Sequence, residues 1–207
     1  MRTMRSYRQY CGVARSLDVI GDRWTLLVVR ELLVRPCRFT DLVAGVPGIP
    51  RNLLAERLRS LEAAGLVARE DERYVATDRG TALKPVLREL IRWSVPLMLT
   101  GQGDDAVRGH WAGGAAEALF ADTDLAGLAG LEVGVEADGE ELALRVEDGR
   151  LRSVPGPAAD PDVVLRGTLE GVMATLAGVA TDRPVEVTGR LDRLAALGER
   201  CRTVPAA

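Results

Sequence analysis

The chain has 207 residues, 47% hydrophobic and 28% charged, with 27 Lys/Arg against 30 Asp/Glu and a net charge of -3. It holds no run of about 18 uncharged apolar residues, and MRTMRSYRQYCG lacks the apolar centre of a signal peptide, so a membrane span is excluded and a cytoplasmic location is expected. Three cysteines, Cys11, Cys37 and Cys201, form no CxxC pair and are odd in number, which argues against a zinc site or a disulfide framework and fits a reducing compartment.

The mild net charge conceals a division of sign. Residues 1–99 carry 17 Lys/Arg against 11 Asp/Glu, a balance of +6, whereas residues 100–207 carry 10 against 19, a balance of -9. Only the first half suits a polyanion. The length also exceeds one small domain. We expect a first domain over 1–99, a linker over 100–110 and a second domain over 111–207.

In chain order, DRWTLLVVRELLVRP after Gly21 places Trp24, Leu27, Val28, Leu32 and Leu33 at helical spacing, with Asp22 as N-cap and Pro36 as stop. Trp24 is assigned to the core. FTDLVAGV is a short helix, and PGIP forces a turn before the next one. RNLLAERLRSLEAAG then sets Leu54, Leu58 and Leu61 on one stripe, with Pro50 in the first turn and Gly65 as the C-terminal stop. Its other face carries Asn52, Glu56 and Arg59, flanked by Arg51 and Ala55.

That outer face has the chemistry of base reading. Arg offers a fork to guanine, Asn matches the adenine edge, and a small Ala permits close approach or touches a thymine methyl. Residues near the helix N-terminus enter the major groove first, so Arg51, Asn52 and Ala55 are the expected base readers. Arg38, Thr40, Arg59 and Arg73 are the expected phosphate contacts. The alternative is a solvated face with an intrahelical Glu56–Arg59 pair. LVARE and RYVAT alternate as a two-stranded wing whose tip, Asp71-Glu72, is acidic and a poor phosphate clamp. Thr77 is expected to cap one long helix, DRGTALKPVLRELIRWSVPLML, whose stripe of Leu83, Val86, Leu87, Leu90, Ile91 and Trp93 exceeds what one small domain buries.

Taken together, Cys11, GDRWTLLVVRELL, RFTDL, PGIPRNLLAERLRSLEAAGLV and RYVATDRG resemble the HxlR-type (DUF24) winged helix-turn-helix regulators, over roughly residues 8 to 98. The resemblance implies a homodimer held by terminal helices, two recognition helices on a palindromic operator in double-stranded DNA, and repression or activation of a nearby gene. Two features depart from the family pattern: Pro50 stands where many relatives have Ser, and the wing is short. Some relatives sense oxidants through an early cysteine, and Cys11 matches that position.

GQGDDAVRG reads as a linker. Beyond it, HWAGGAAEALFA is a short helix; LEVGVEAD, ELALRVED, GRLRSVPG and DVVLRGT are strands, the first three joined by Asp138-Gly139 and Asp148-Gly149 turns into a meander. TLEGVMATLAGV and LDRLAALGERC are helices with the strand VEVTG between them. The expected second fold is α+β, an antiparallel sheet packed by helices, behind a mainly α winged helix-turn-helix. ADPDVVLRGTLEGVMATLAGV followed by VEVTGRLDRLAAL resembles the sterol-carrier-protein-like domain, over roughly residues 111 to 202. That resemblance implies an apolar small-molecule effector, with Trp111, Leu165, Met173 and Leu176 as the expected contacts. His110 is the sole histidine, no nucleophile–base constellation or phosphate loop is present, and Asp104-Asp105 and Glu140-Glu141 read as solvated charge. No cofactor, metal or catalysis is expected. The competing readings are a second domain that only makes protein contacts, a redox-responsive regulator acting through Cys11, and a lipid carrier.

Overall fold

The computed structural model describes residues 6–98 and 101–201. They fall into two compact units that divide between Leu87 and Arg88. No helix among the described residues is long and apolar enough to cross a membrane.

The first unit opens with α1 (Gly12–Ile20), followed by α2 (Thr25–Val34), α3 (Phe39–Gly45) and α4 (Arg51–Ala63), then β1 (Val67–Glu70) and β2 (Arg73–Ala76). Helix α1 adds to the elements expected from the sequence. Its N-cap is Cys11, not one of the usual capping residues, and although Val13, Leu17 and Ile20 are spaced along one side, Ala14 is its one buried residue. Helix α2 begins later than expected, at Thr25. Asp22 does not cap it; Trp24 precedes it in the left-handed region, at φ 79°. Leu27, expected on the core face, is 39% exposed, while Val28 and Leu32 are buried.

The α4 stripe is as expected, with Leu54, Leu58 and Leu61 at most 1% exposed. Gly65 ends the helix at φ 69°. The Leu66 amide donates to the Leu61 carbonyl and the Gly65 amide to that of Glu62, so two otherwise orphaned carbonyls are satisfied. These leucines close a core with Val28, Val29, Leu32, Leu42, Val46 and Ile49.

The expected long helix is two. Thr77 Oγ1 accepts from the Gly80 amide at 3.1 Å and caps the short α5 (Asp78–Thr81); α6 (Lys84–Met98) starts anew. Pro85 accounts for the break: it has no N–H to give to the Thr81 carbonyl and its ring crowds that carbonyl, so the helix restarts with Pro85 in its first turn. The expected helix end at Leu99 and linker start at Thr100 lie outside the described residues.

In the second unit, α7 (Trp111–Leu119) and a 3-10 turn (Ala126–Leu128) precede β3 (Glu132–Ala137), β4 (Glu140–Glu147), β5 (Arg150–Pro155), β6 (Val163–Gly167), α8 (Leu169–Leu176), β7 (Val185–Gly189) and α9 (Leu191–Gly198). Both Asp-Gly turns have positive φ at each position, 48° and 80° at Asp138-Gly139 and 50° and 69° at Asp148-Gly149, the geometry that joins twisted strands tightly.

The sheet order is β5-β4-β3-β6-β7. It is mixed, not antiparallel as expected, because β6 runs parallel to β3. After β5 the chain crosses the outer face of the sheet over Gly134: a methyl there would lie 3.4 Å from Ala158 Cβ and 3.6 Å from Pro161 Cβ. Such a crossover returns the chain to the starting end of β3, where it can only pair in parallel. Val133, Val135, Leu142, Leu144, Val163 and Leu165 alternate onto the inner face, against Ala112 and Ala116 of α7, Val172 and Leu176 of α8, and Leu194 and Leu197 of α9.

Candidate nucleic-acid interface

Burying the leucine stripe turns the other side of α4 outward. Arg51, Asn52 and Arg59 are exposed and Ala55 is half-buried. At about 100° per residue, Asn52, Ala55 and Arg59 share one face, with Arg51 at its edge in the first turn. The Arg51 guanidinium lies over the Phe39 ring, 5.4 Å from its centroid, so α3 braces it. Pro50 occupies the N-cap and offers no side-chain oxygen.

Around this helix the expected phosphate residues are positioned by local contacts. The Arg38 amide donates to the Asp41 carboxylate at 2.8 Å, which fixes the start of α3, where the exposed Thr40 sits. Arg73 Nη1 donates to the Pro36 carbonyl at 3.2 Å. Cys37 pairs with Tyr74, each amide donating to the other's carbonyl, so the segment before α3 is stitched to the wing by one antiparallel bridge. Arg38, Thr40 and Arg73 are thereby held on one framework, at the base of the wing and the head of α3.

The wing tip is indeed two residues, Asp71 and Glu72, with Asp71 at φ 52°. Glu72 Oε2 lies 3.6 Å from Arg38 Nη2. An exposed pair of this kind is weak, but it sets an acid against a guanidinium expected to meet phosphate.

The cysteines divide sharply. Cys11 is exposed at the head of α1, and the amides of Ala14 and then Val13 hold its thiol below the ordinary value. Cys37 is buried, and burial pushes its thiol up to about 11.

In the second unit three of the four expected ligand contacts, Leu165, Met173 and Leu176, belong to one apolar cluster. Leu165 and Leu176 are fully buried in the sheet–helix core, Met173 packs at its edge, and Trp111 sits half-buried beside His110. A cleft of about 420 Å3 opens between α8 and α9, lined by Thr175, Gly178, Leu191, Leu194, Ala195 and Gly198 among others. Sequence spacing marked these helices as amphipathic but carries no sign of where they part. Glu140, expected as solvated charge, accepts from the His110 amide at 2.8 Å and meets His110 Nδ1 at 2.5 Å, so it pins the head of α7 to β4. No His, Cys, Asp and Glu group suited to a metal ion occurs among the described residues.

A profile of the HxlR-like helix-turn-helix family matches residues 19–99. YkvN of Bacillus subtilis (strain 168), named as an uncharacterized HTH-type transcriptional regulator, is 38% identical over 90 residues, 40% of this chain and 76% of YkvN. The HTH-type transcriptional regulator YodB of the same strain is 33% identical over 86 residues, 38% of this chain and 77% of YodB. A crystal structure of quinone-bound YodB is similar over 40% of this chain and 93% of that chain, at 34% identity and a TM-score of 0.38. Matched by the family profile, and to YkvN along most of that regulator's length, the chain belongs to the HxlR-like helix-turn-helix family.

Proposed function

We propose that the protein is a homodimeric, sequence-specific DNA-binding repressor in which residues 1–99 read a palindromic operator and residues 111–207, a sterol-carrier-protein-like domain, bind an apolar small-molecule effector. One observation carries the DNA reading: α4 buries Leu54, Leu58 and Leu61 and leaves Arg51, Asn52 and Arg59 exposed on a basic unit. Arg51, Asn52 and Ala55 read bases, while Arg38, Thr40, Arg59 and Arg73 hold phosphates.

The dimer is supported by α6, which has no buried residue and exposes Val86, Leu90, Trp93 and Leu97, three and four positions apart along one side. Such a stripe asks for a partner helix. The effector reading is supported by the helix-covered apolar face of the sheet and by the cleft between α8 and α9. Control by an effector requires unequal affinity for the DNA-competent and incompetent states.

Selection from a random-core duplex library tests the proposal. Enrichment of a motif with two-fold symmetry is expected; an unenriched pool, bound with salt dependence alone, would sink it. A redox-responsive regulator is the second reading, favoured by the exposure and lowered pKa of Cys11. Under it, Cys11→Ser loses oxidant-dependent release from the selected duplex, and retained release excludes it.

A further inference from the structure

The turn between α1 and α2, residues 21–24, reaches the reading head at two places. The Asp22 carboxylate pairs with Arg57 Nη1 in the middle of α4. Arg57 is 12% exposed against 65% for Asp22, and its Nε is buried with no acceptor. Asp22 therefore compensates a largely dehydrated guanidinium. On the helical wheel Arg57 lies on the flank of α4 turned away from Asn52 and Arg59, so the pair holds the helix from behind.

Trp24 makes the second contact. Its φ of 79° is a conformation in which bulky residues rarely settle and which persists only where the surroundings impose it. The result is an indole directed at the α3–α4 turn, where a methyl on Gly48 would lie 3.6 Å from Trp24 Cη2. Arg23 covers the ring at 5.1 Å from its centroid. One short turn thus touches both the joint before the recognition helix and the back of that helix.

We propose that Asp22, Arg57 and Trp24 are positioning residues that fix the rotation and pitch of α4, and through them the discrimination between base pairs. This rests on the DNA-reading assignment above. The lever is geometric: a rotation of about 20° moves a side-chain tip about 6 Å from the helix axis by about 2 Å, more than a hydrogen bond tolerates. Phosphate contacts, which carry no sequence information, are less sensitive to that pose.

The test compares the full chain with Asp22→Asn, which keeps the shape and removes the charge, on the duplex enriched by selection and on a scrambled duplex. The ratio of the two affinities is expected to fall about ten-fold, the worth of one base contact, while scrambled-duplex affinity and its salt slope stay close to wild type, all measured well below the thermal midpoint of the variant, which is lowered by the uncompensated Arg57. Asp22→Glu, which retains the carboxylate, is expected to keep the ratio. An unchanged ratio in Asp22→Asn, or equal losses on both duplexes, overturns the proposal. Should the wild-type chain enrich no sequence, the DNA assignment fails, and positioning is then judged by amide exchange: faster exchange at residues 55–61 in Asp22→Asn, without change at residues 28–32, supports it, and unchanged exchange at residues 55–61 overturns it.

Discussion

Arg38 Nη2 stands 3.6 Å from Glu72 Oε2, so the tip of the wing is turned against a residue at the head of α3 that is expected to meet the DNA backbone. Binding a phosphate at Arg38 must displace or tolerate that carboxylate. Glu72→Gln should therefore tighten duplex binding by about two- to five-fold at low salt, the scale of an exposed ion pair, and steepen the salt slope by up to about one. Affinity and slope from fluorescence anisotropy at several salt concentrations check this; weaker binding in the variant would mean that Glu72 aids the contact.

Glu31 and Gly45 make a tighter relationship. Glu31 is 5% exposed and its Oε1 pairs with Arg30 Nη2 at 2.8 Å, while a methyl on Gly45 would lie 2.4 Å from its Oε2. The missing side chain at the end of α3 is what lets this carboxylate lie under the helix. Gly45→Ala should cost about 1–3 kcal/mol in urea unfolding, the range for overpacking. A change under about 0.5 kcal/mol would show that Glu31 swings clear.

Cys37 links stability to pH. Burial raises its thiol from the ordinary 9.0 to about 11, so the fold favours the neutral form. The sign follows: this contribution is whole below pH 9.0, diminishes as pH rises through that value towards about 11, and is lost above. It is worth on the order of 2 kcal/mol. The difference in unfolding free energy between wild type and Cys37→Ala should shift against the wild type by that amount between pH 8 and 11. A difference that does not change with pH would contradict it.

Much of this architecture is readable from residue spacing, and the exceptions have causes. Leu54, Leu58 and Leu61 announce α4 because the side they occupy is buried almost completely, and the Asp-Gly pairs announce their turns because few other residues accept positive φ twice. Local rules fail where a distant partner decides. Asp22 has the chemistry of an N-cap, but Arg57, 35 positions away, takes its carboxylate. The parallel pairing of β6 depends on a crossover permitted at Gly134, which no periodicity records. For the reading head, exposure of Arg51, Asn52 and Arg59 follows from the stripe opposite them, whereas the cleft between α8 and α9 depends on how two helices diverge.

That cleft supports a prediction for the second unit. An uncharged fluorescent probe, N-phenyl-1-naphthylamine, should bind the wild type, and Thr175→Trp, which places an indole at the lining, should weaken it by at least about ten-fold without loss of folding. Equal binding in the two proteins would place the probe elsewhere.

Base reading by α4 is the central claim, and Arg51→Ala tests it most directly. The variant is titrated against the selected duplex and each of its single base-pair substitutions, at matched salt. The expected result is a loss of about 1–3 kcal/mol on the selected duplex that vanishes at one base-pair position in each half-site, because the variant no longer distinguishes the bases there. Unchanged affinity, or an equal loss on every duplex, would contradict it.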